Sequence, residues 1–425
     1  MKIALATYGT RGDVEPSLAV GCELMRRGHD VRVAVPPDQV GLAEAAGFSA
    51  VPYGPDSQKA LASNSGANLY GESTYRPWQV RTLHKLYSED WEFSMRCRRE
   101  LNTALMTLAE GADVLFHGQV FEDLAANVAE YYDIPMVTLH YIPLRPNGQF
   151  LWFLPPALSR MAMSSFWWLT SRVAGNAEKG QRRELGLPKD SRAATRRITD
   201  RGSLELQAYD EVCFPGLATE WARWKEQRSF VGTLTLEMPT NADEEVESWI
   251  AAGSPPICFA FGSMALKSPA DTIAMISEVC GQLGERALVC AGSSGFSTDT
   301  YAEHVKVVET MNYATVFPGC RAVVHHGGAG TMAAALRAGI PHLVLWSAPD
   351  RRMRGAAITR LKVGTARRFL ALSSKTLVSD LRQILAPEYL DRARAAATQM
   401  RTSIASASAA ADFMEAFAGC QASSQ

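Results

Sequence analysis

The residues best placed to do chemistry lie in one run, RAVVHHGGAGTMAAALRAGIPHLVLWSAPD, from Arg321 to Asp350. Two histidines, His325 and His326, are followed at once by Gly327, Gly328, Ala329, Gly330 and Thr331. Glycines let a backbone approach a ligand closely and take up positive φ. A helix starting at this loop has unpaired N–H groups in its first turn, at the positive end of its dipole, which favours an anion such as phosphate. Thr331 adds a hydroxyl donor, and His325 or His326 an imidazole donor. The same run also suits a plain strand-to-helix turn that needs glycine and packs two histidines at a strand end. A second candidate is Asp13, in YGTRGDVEP. A carboxylate within reach of a hydroxyl proton is a general base, and an Asp just before a helix is equally an ordinary N-cap. Capping and neighbouring Arg11 would both stabilise the charged form and weaken the base.

Strands and helices in alternation must hold these groups. Lys2–Thr7 reads as a buried strand, Tyr8–Asp13 as a glycine loop, and Pro16 suits the first turn of a helix running to Arg27. Strands follow at Val31–Val35, Ala112–Phe116 and Pro135–His140, with helices at Gln39–Ala46 and Phe121–Tyr131. The alternation implies an α/β fold with a parallel sheet covered on both faces. In such sheets ligands sit beyond the carboxyl ends of the strands, where Asp13, His117 and His140 fall. Ser57–Glu110 and Tyr141–Arg201 show no clear pattern. The second holds a dense aromatic group, including Trp152, Phe153 and Trp167, which reads as core packing between helices. A Trp-rich amphipathic stretch also suits a membrane face. Basic residues crowd Arg172–Arg201 and suit an anionic lipid surface, an acidic acceptor or a solvated helix face.

Around 214–242 prolines and glycines break the pattern, as a linker would. A second α/β series follows, with strands at Ile257–Phe261, Ala287–Ala291, Val305–Val308, Ala322–Val324 and His342–Trp346, and another near Ala366–Phe369.

Composition sets outer bounds. The chain has 425 residues, 47% hydrophobic and 20% charged, as in a globular protein with two or three domains. A net charge of −1 gives no reason to expect a nucleic-acid partner. Eight scattered cysteines without a CxxC pair fit a reducing cytoplasm. The opening MKIALATYGT is too short and too quickly polar for a signal peptide or anchor.

HHGGAGT, followed by an alanine-rich helix and AGIP, resembles the donor signature of family 1 glycosyltransferases of the GT-B fold, in their bacterial antibiotic, sterol and lipid branch. Gly9, Thr10, Gly12, Asp13 and Pro16 match that branch's GTxGDxxP loop, and FGSM, with Ser263, its donor-phosphate loop. The resemblance implies two Rossmann-like domains with parallel sheets facing across a cleft. It places an acceptor-binding domain at 1–222, a linker at 223–245, a nucleotide-sugar domain at 246–400, and a tail at 401–425 that crosses back to the first domain. It implies Asp13 as the base. Thr10, Arg11, Gly12, Ser263, Thr310, Met311, His325, Gly327, Gly328, Ala329, Gly330, Thr331, Asp350 and Arg351 would hold the donor, with the base edge near Thr310 and Met311. His117, His140, Trp152, Phe153 and Trp167 would meet the acceptor.

The implied reaction is inverting and independent of metal, with no cofactor and a UDP or dTDP sugar as co-substrate. No DxD carboxylate pair stands ready to hold a cation on the phosphates. Where the family has Asp-Gln, this chain has Asp350-Arg351. Arg has donors but no acceptor, so the sugar is left open, with a deoxysugar expected. GTRGD, RRELGLP and GSLELQAYD look most like the mycobacterial glycopeptidolipid glycosyltransferases, which attach rhamnose or 6-deoxytalose to a lipopeptide. That resemblance implies a lipid or lipopeptide acceptor and a cytoplasmic protein in peripheral contact with the inner face of the membrane. A sterol or antibiotic-aglycone transferase, a GT-B epimerase and an inactive nucleotide-sugar binder remain as alternatives.

Overall fold

A computed structural model describes residues 1–59, 80–151, 153–262, 268–292 and 302–422. Ser263 and Trp152 therefore lie outside the described residues.

The chain divides into two units, 1–211 with 215–236 and 403–425, and 212–214 with 237–402. The first holds a six-stranded parallel sheet in the order β3-β2-β1-β4-β5-β6. Its strands are β1 (Lys2–Ala6), β2 (Asp30–Val35), β3 (Ala50–Pro52), β4 (Val114–Gly118), β5 (Met136–His140) and β6 (Leu204–Gln207). The second holds another parallel sheet in the order β12-β11-β10-β7-β8-β9. These are β7 (Ile257–Ala260), β8 (Ala287–Cys290), β9 (Val305–Val308), β10 (Ala322–His325), β11 (His342–Trp346) and β12 (Gly364–Arg368). In both sheets the strand order reverses beside the first strand, between β1 and β4 and between β7 and β10. Such a reversal opens a crevice at the carboxyl ends of the strands.

The short apolar runs become strands because both sheet faces are covered. Ile3, Leu5, Val33, Val35, Phe116 and Val137 are buried in one cluster, and Ile257, Phe259, Val289, Val324 and Leu343 in another.

Three features depart from the sequence reading. The two stretches without clear pattern contain the longest helices, Val80–Ala109 and Pro156–Glu184. Two strands beyond the four expected, β3 and β6, complete the first sheet. And part of the expected linker, 223–245, is not free chain. Gln207 bridges to Phe230, Val231 and Leu234 enter the first core, and a helix of the second unit has begun by Asp243.

The last helix, Ser403–Ala422, belongs to the first unit. Its Ala407, Ala410, Ala411 and Met414 complete the core around Val14, Leu18 and Leu24. Arg27 bonds Asp412, Glu415 and Ser408 on that helix, and His29 bonds Glu415.

Candidate functional site

In the second unit the loops that straddle the sheet reversal are those after β7 and β10. β10 delivers His325 and His326 in succession, and strand alternation sends neighbouring side chains to opposite sides. His325 is fully buried. Its Nδ1 accepts the Gly327 N–H at 3.2 Å, and its Nε2 lies 3.2 Å from Nδ1 of His342. Burial, then the charges of His326 and Arg354, lower its pKa to about 3. Both nitrogens of His325 are thus spent on shaping the loop from within, where the sequence reading places a phosphate donor.

His326 occupies the position between the two loops. A Cβ on Gly262 would lie 2.7 Å from its Cε1, and one on Gly328 would lie 2.7 Å from its Nε2. Gly262 also has φ +60°. Glycine is needed there for both room and conformation. Nδ1 of His326 lies 3.4 Å from the Ala260 carbonyl, at the end of β7. Burial, followed by Arg351, lowers its pKa to about 3.

Gly328 caps the helix Ala329–Arg337, whose first intrahelical bond is Met332 N–H to Gly328 C=O. The amides of Ala329, Gly330 and Thr331 therefore have no partner within the helix and stand beside the His326 ring. Thr331 is buried in that first turn.

The helix Pro349–Leu361 carries three charged residues to the same place. Asp350 pairs with Arg354 at 2.8 Å, and the same Nη1 reaches the Gly327 carbonyl at 3.2 Å. Arg351 donates to Ser347 at 3.0 Å, and its stem packs against Gly327. Burial, with Arg354 adding to it against Asp350, depresses the Arg351 pKa. Two guanidiniums and one carboxylate thus adjoin the glycine loop, an arrangement able to hold an anion and the hydroxyls attached to it. Of the two expected base contacts, Thr310 is exposed, while Met311 is buried with Val308 and Phe317.

In the first unit the corresponding loop follows β1. Thr10, not Asp13, is the N-cap of the helix Arg11–Arg26. Asp13 stands at the third helical position, where Oδ2 accepts the Thr10 N–H at 2.8 Å and the Thr10 hydroxyl at 3.1 Å. Gly9 has φ +142°, and a Cβ there would fall 2.4 Å from Asp13 Oδ2. Arg11 turns away to pair with Glu15 at 2.9 Å, and Gly12 is exposed. Tyr141, just past β5, is buried with its hydroxyl near Thr7, and burial followed by the charge of Asp13 raises its pKa well above the usual phenol value.

The expected acceptor contacts are dispersed. His117 is fully buried, its Nε2 2.8 Å from the Tyr53 hydroxyl and its Nδ1 2.7 Å from the Gly118 carbonyl, with burial lowering its pKa to about 4. His140 is buried against Glu122 at 3.0 Å. Both lie inside the fold and present no surface to an acceptor. Trp167 is half-buried and donates to the Leu144 carbonyl, while Phe153 is 60% exposed.

The residues that sequence reading misses are Arg354, Tyr141 and the choice of His326 over His325. Arg354 is findable from its four-residue spacing after Asp350 once that segment is a helix. Nothing in the sequence marks Tyr141 beyond its position at a strand's carboxyl end.

Known proteins resemble the chain both in sequence and in fold. Residues 3–50 match the family 28 glycosyltransferase N-terminal domain, and residues 287–417 match the erythromycin biosynthesis protein CIII-like C-terminal domain. An uncharacterized glycosyltransferase of Mycobacterium leprae is 50% identical over 98% of this chain and 96% of its own. The crystal structure of the kitacinnamycin glycotransferase superposes with a TM-score of 0.71 over 97% of this chain and 98% of that one, at 16% identity. The glycosyltransferase VinC in complex with dTDP superposes at 0.65 over 98% and 99%, at 17% identity.

Proposed function

Because the chain belongs to the GT-B glycosyltransferases of the family 28 and erythromycin CIII-like type, we propose that it moves a deoxyhexose from a UDP or dTDP sugar to a hydroxyl of a large apolar acceptor, with inversion. The observation that carries this reading is the meeting of Gly262, Gly328 and the His326 ring beside the first-turn amides of the Ala329–Arg337 helix. A diphosphate seated there would place its oxygens on N–H donors aimed before the reaction begins.

The second unit holds the donor and the first the acceptor. Asp13 takes the proton of the acceptor hydroxyl, whose oxygen forms a bond to the anomeric carbon. The bond from that carbon to the diphosphate breaks, and the departing negative charge is met by the amides, Thr331, His326 and the guanidiniums of Arg351 and Arg354. Asp350, 40% exposed and oriented by Arg354, accepts from sugar hydroxyls. Arg351, in the place of a family Gln, removes one acceptor of hydroxyl hydrogens, which favours a sugar with one hydroxyl fewer. Rhamnose and 6-deoxytalose fit that description. The lipopeptide acceptor and a role in glycopeptidolipid assembly rest on the GTRGD, RRELGLP and GSLELQAYD resemblance. The apolar aromatic stretch around Phe153 and Trp167 supports an apolar acceptor, worked on at a membrane surface.

The test is transfer itself. Purified protein is offered UDP and dTDP sugars with a lipopeptide extract, and products are weighed by mass spectrometry. A deoxyhexose adduct that vanishes in Asp13→Asn supports the reading. Nucleotide-sugar binding without transfer to any acceptor overturns it in favour of an inactive binder, which the Asp350-Arg351 departure also accommodates.

A further inference from the structure

Eleven large apolar side chains among the described residues are exposed, and six of them, Phe153, Leu158, Met161, Phe166, Trp168 and Leu169, fall within one short stretch of the first unit. Five of the six lie on the Pro156–Glu184 helix. Leu158, Met161, Ser165, Leu169 and Arg172 recur at intervals of three and four residues, which places them along one side of the helix. Ser159, Met163 and half-buried Trp167 take the opposite side, against the domain. A contiguous exposed apolar face on a folded domain marks a contact surface.

The charge beside this face identifies the contact. An open cavity of about 1230 Å³ adjoins the helix, lined among others by Arg172, Lys179, Arg196, Arg223, Trp168 and Trp224. Arg172 stacks 4.5 Å from the Trp168 ring and Arg223 3.6 Å from the Trp224 ring. Neither of these arginines, nor Lys179, has a carboxylate within ion-pair distance among the described residues. Other basic groups nearby are neutralised, Arg160 by Glu220 and Arg192 by Asp190 and Asp200. The surface therefore presents an apolar ridge with tryptophan and unneutralised basic groups along its flank. No helix among the described residues is long and apolar enough to cross a membrane.

We propose that this helix face is a docking surface for an anionic lipid membrane, with the ridge lying among the acyl chains just below the headgroups and Arg172, Lys179 and Arg223 on the lipid phosphates. An apolar ridge supplies burial, and each basic group near an anionic surface adds to partition about fivefold. The assignment rests on the reading of an apolar acceptor met at a membrane, and it gives that reading a place on the protein.

The test is co-sedimentation of the full-length protein, without donor, on vesicles of equal parts phosphatidylglycerol and phosphatidylcholine, beside vesicles of phosphatidylcholine alone. Binding to the mixed vesicles that weakens with salt is expected. It should fall at least tenfold in Arg172→Glu with Arg223→Glu, and equally in Met161→Ser with Leu169→Ser. All four side chains are exposed, so circular dichroism should match the parent. Equal binding to both vesicle types, or binding unchanged in either variant, overturns the proposal. Self-association that the serine variant abolishes, without vesicle binding, would assign the face to a second copy of this chain instead. Vesicle binding needs no turnover and transfer to a detergent-dispersed acceptor needs no vesicle, so each reading fails separately.

Discussion

Asp13 and Thr10 are joined twice through one oxygen: Oδ2 of Asp13 takes both the amide and the hydroxyl of Thr10. The carboxylate proposed to receive a proton is therefore also the brace of the helix that carries it. Asp13→Asn keeps an oxygen for the cap and removes the base. The expected outcome is a fall in kcat of about 10²–10⁴-fold with a loss of stability of about 1 kcal/mol or less. Steady-state kinetics and thermal unfolding, measured on the same sample, separate the two. A stability loss large enough to account for the activity loss would leave Asp13 as a brace alone.

Donor binding should take up a proton at His326. Its Nδ1–H points to the Ala260 carbonyl, so the neutral ring offers Nε2 as a lone pair to the loop. A phosphate oxygen is also an acceptor, and the contact forms only with the imidazolium. Burial keeps the ring neutral in the free protein, with a pKa of about 3. A bound diphosphate raises that value, so protonation favours binding. Affinity for UDP or dTDP then falls as pH rises between the free and bound values, by up to about tenfold per pH unit. Calorimetry in buffers of unlike ionisation heat reads the uptake, and His326→Gln should abolish it. Uptake unchanged in that variant would place the proton elsewhere.

His325 should behave differently from its neighbour. His325→Leu leaves the Gly327 N–H without its acceptor inside the fold, which costs about 1–3 kcal/mol. The loss should appear in thermal unfolding before any ligand is added, whereas His326→Gln should unfold near the parent temperature.

Arg354 ties Asp350 to the Gly327 carbonyl, so it sets the position of the residue proposed to hold the sugar. Arg354→Leu is expected to raise the KM for the sugar donor more than it weakens free UDP or dTDP, since the first-turn amides remain. Equal losses for both ligands would show that Arg354 acts only on the phosphates.

A buried charge network should decide how the first unit meets acid. Arg145 bonds Glu122 and Glu205, and Arg228 bonds Glu205, all nearly without solvent. Burial alone would raise the Glu122 pKa, but Arg145 and His140 outweigh it and lower it to about 2. A carboxylate depressed in the fold adds stability above its unfolded value and loses it as pH falls. Stability should therefore decline from about pH 4.5 toward about pH 2. Arg145→Met, which leaves Glu122 only His140 and Glu205 only Arg228 as charged partners, should cost about 3 kcal/mol at neutral pH.

The same network explains what the sequence conceals. β6 reads Leu-Glu-Leu-Gln, and with Glu205 and Gln207 fully buried it carries polar residues where a buried strand is expected to be apolar. Arg145 and Arg228, distant in sequence, make the burial of Glu205 tolerable. The long helices hide for a related reason. In Val80–Ala109 a buried row is visible at Cys97, Leu101, Leu105 and Leu108, but in Pro156–Glu184 apolar residues face solvent as well as core. The β7 and β10 units are plain by contrast, since a buried parallel strand followed by glycines has few other readings. What pattern alone leaves undecided is which of two adjacent histidines stands between the two loops, because that depends on Gly262, in the loop after β7.

The helix Ser403–Ala422 gives the chain an order of events during its own synthesis. The first unit includes residue 1, yet Ala410, Ala411 and Met414 of its core, and the carboxylates that meet Arg27, are made only after the second unit. All of 237–402 emerges before them. The second unit can fold while translation continues, but the first must wait, incomplete, with the surface around Val14, Leu18 and Leu24 open until 403–422 arrives. A nascent chain that stalls late in translation would thus carry a finished second unit and an unsealed first one.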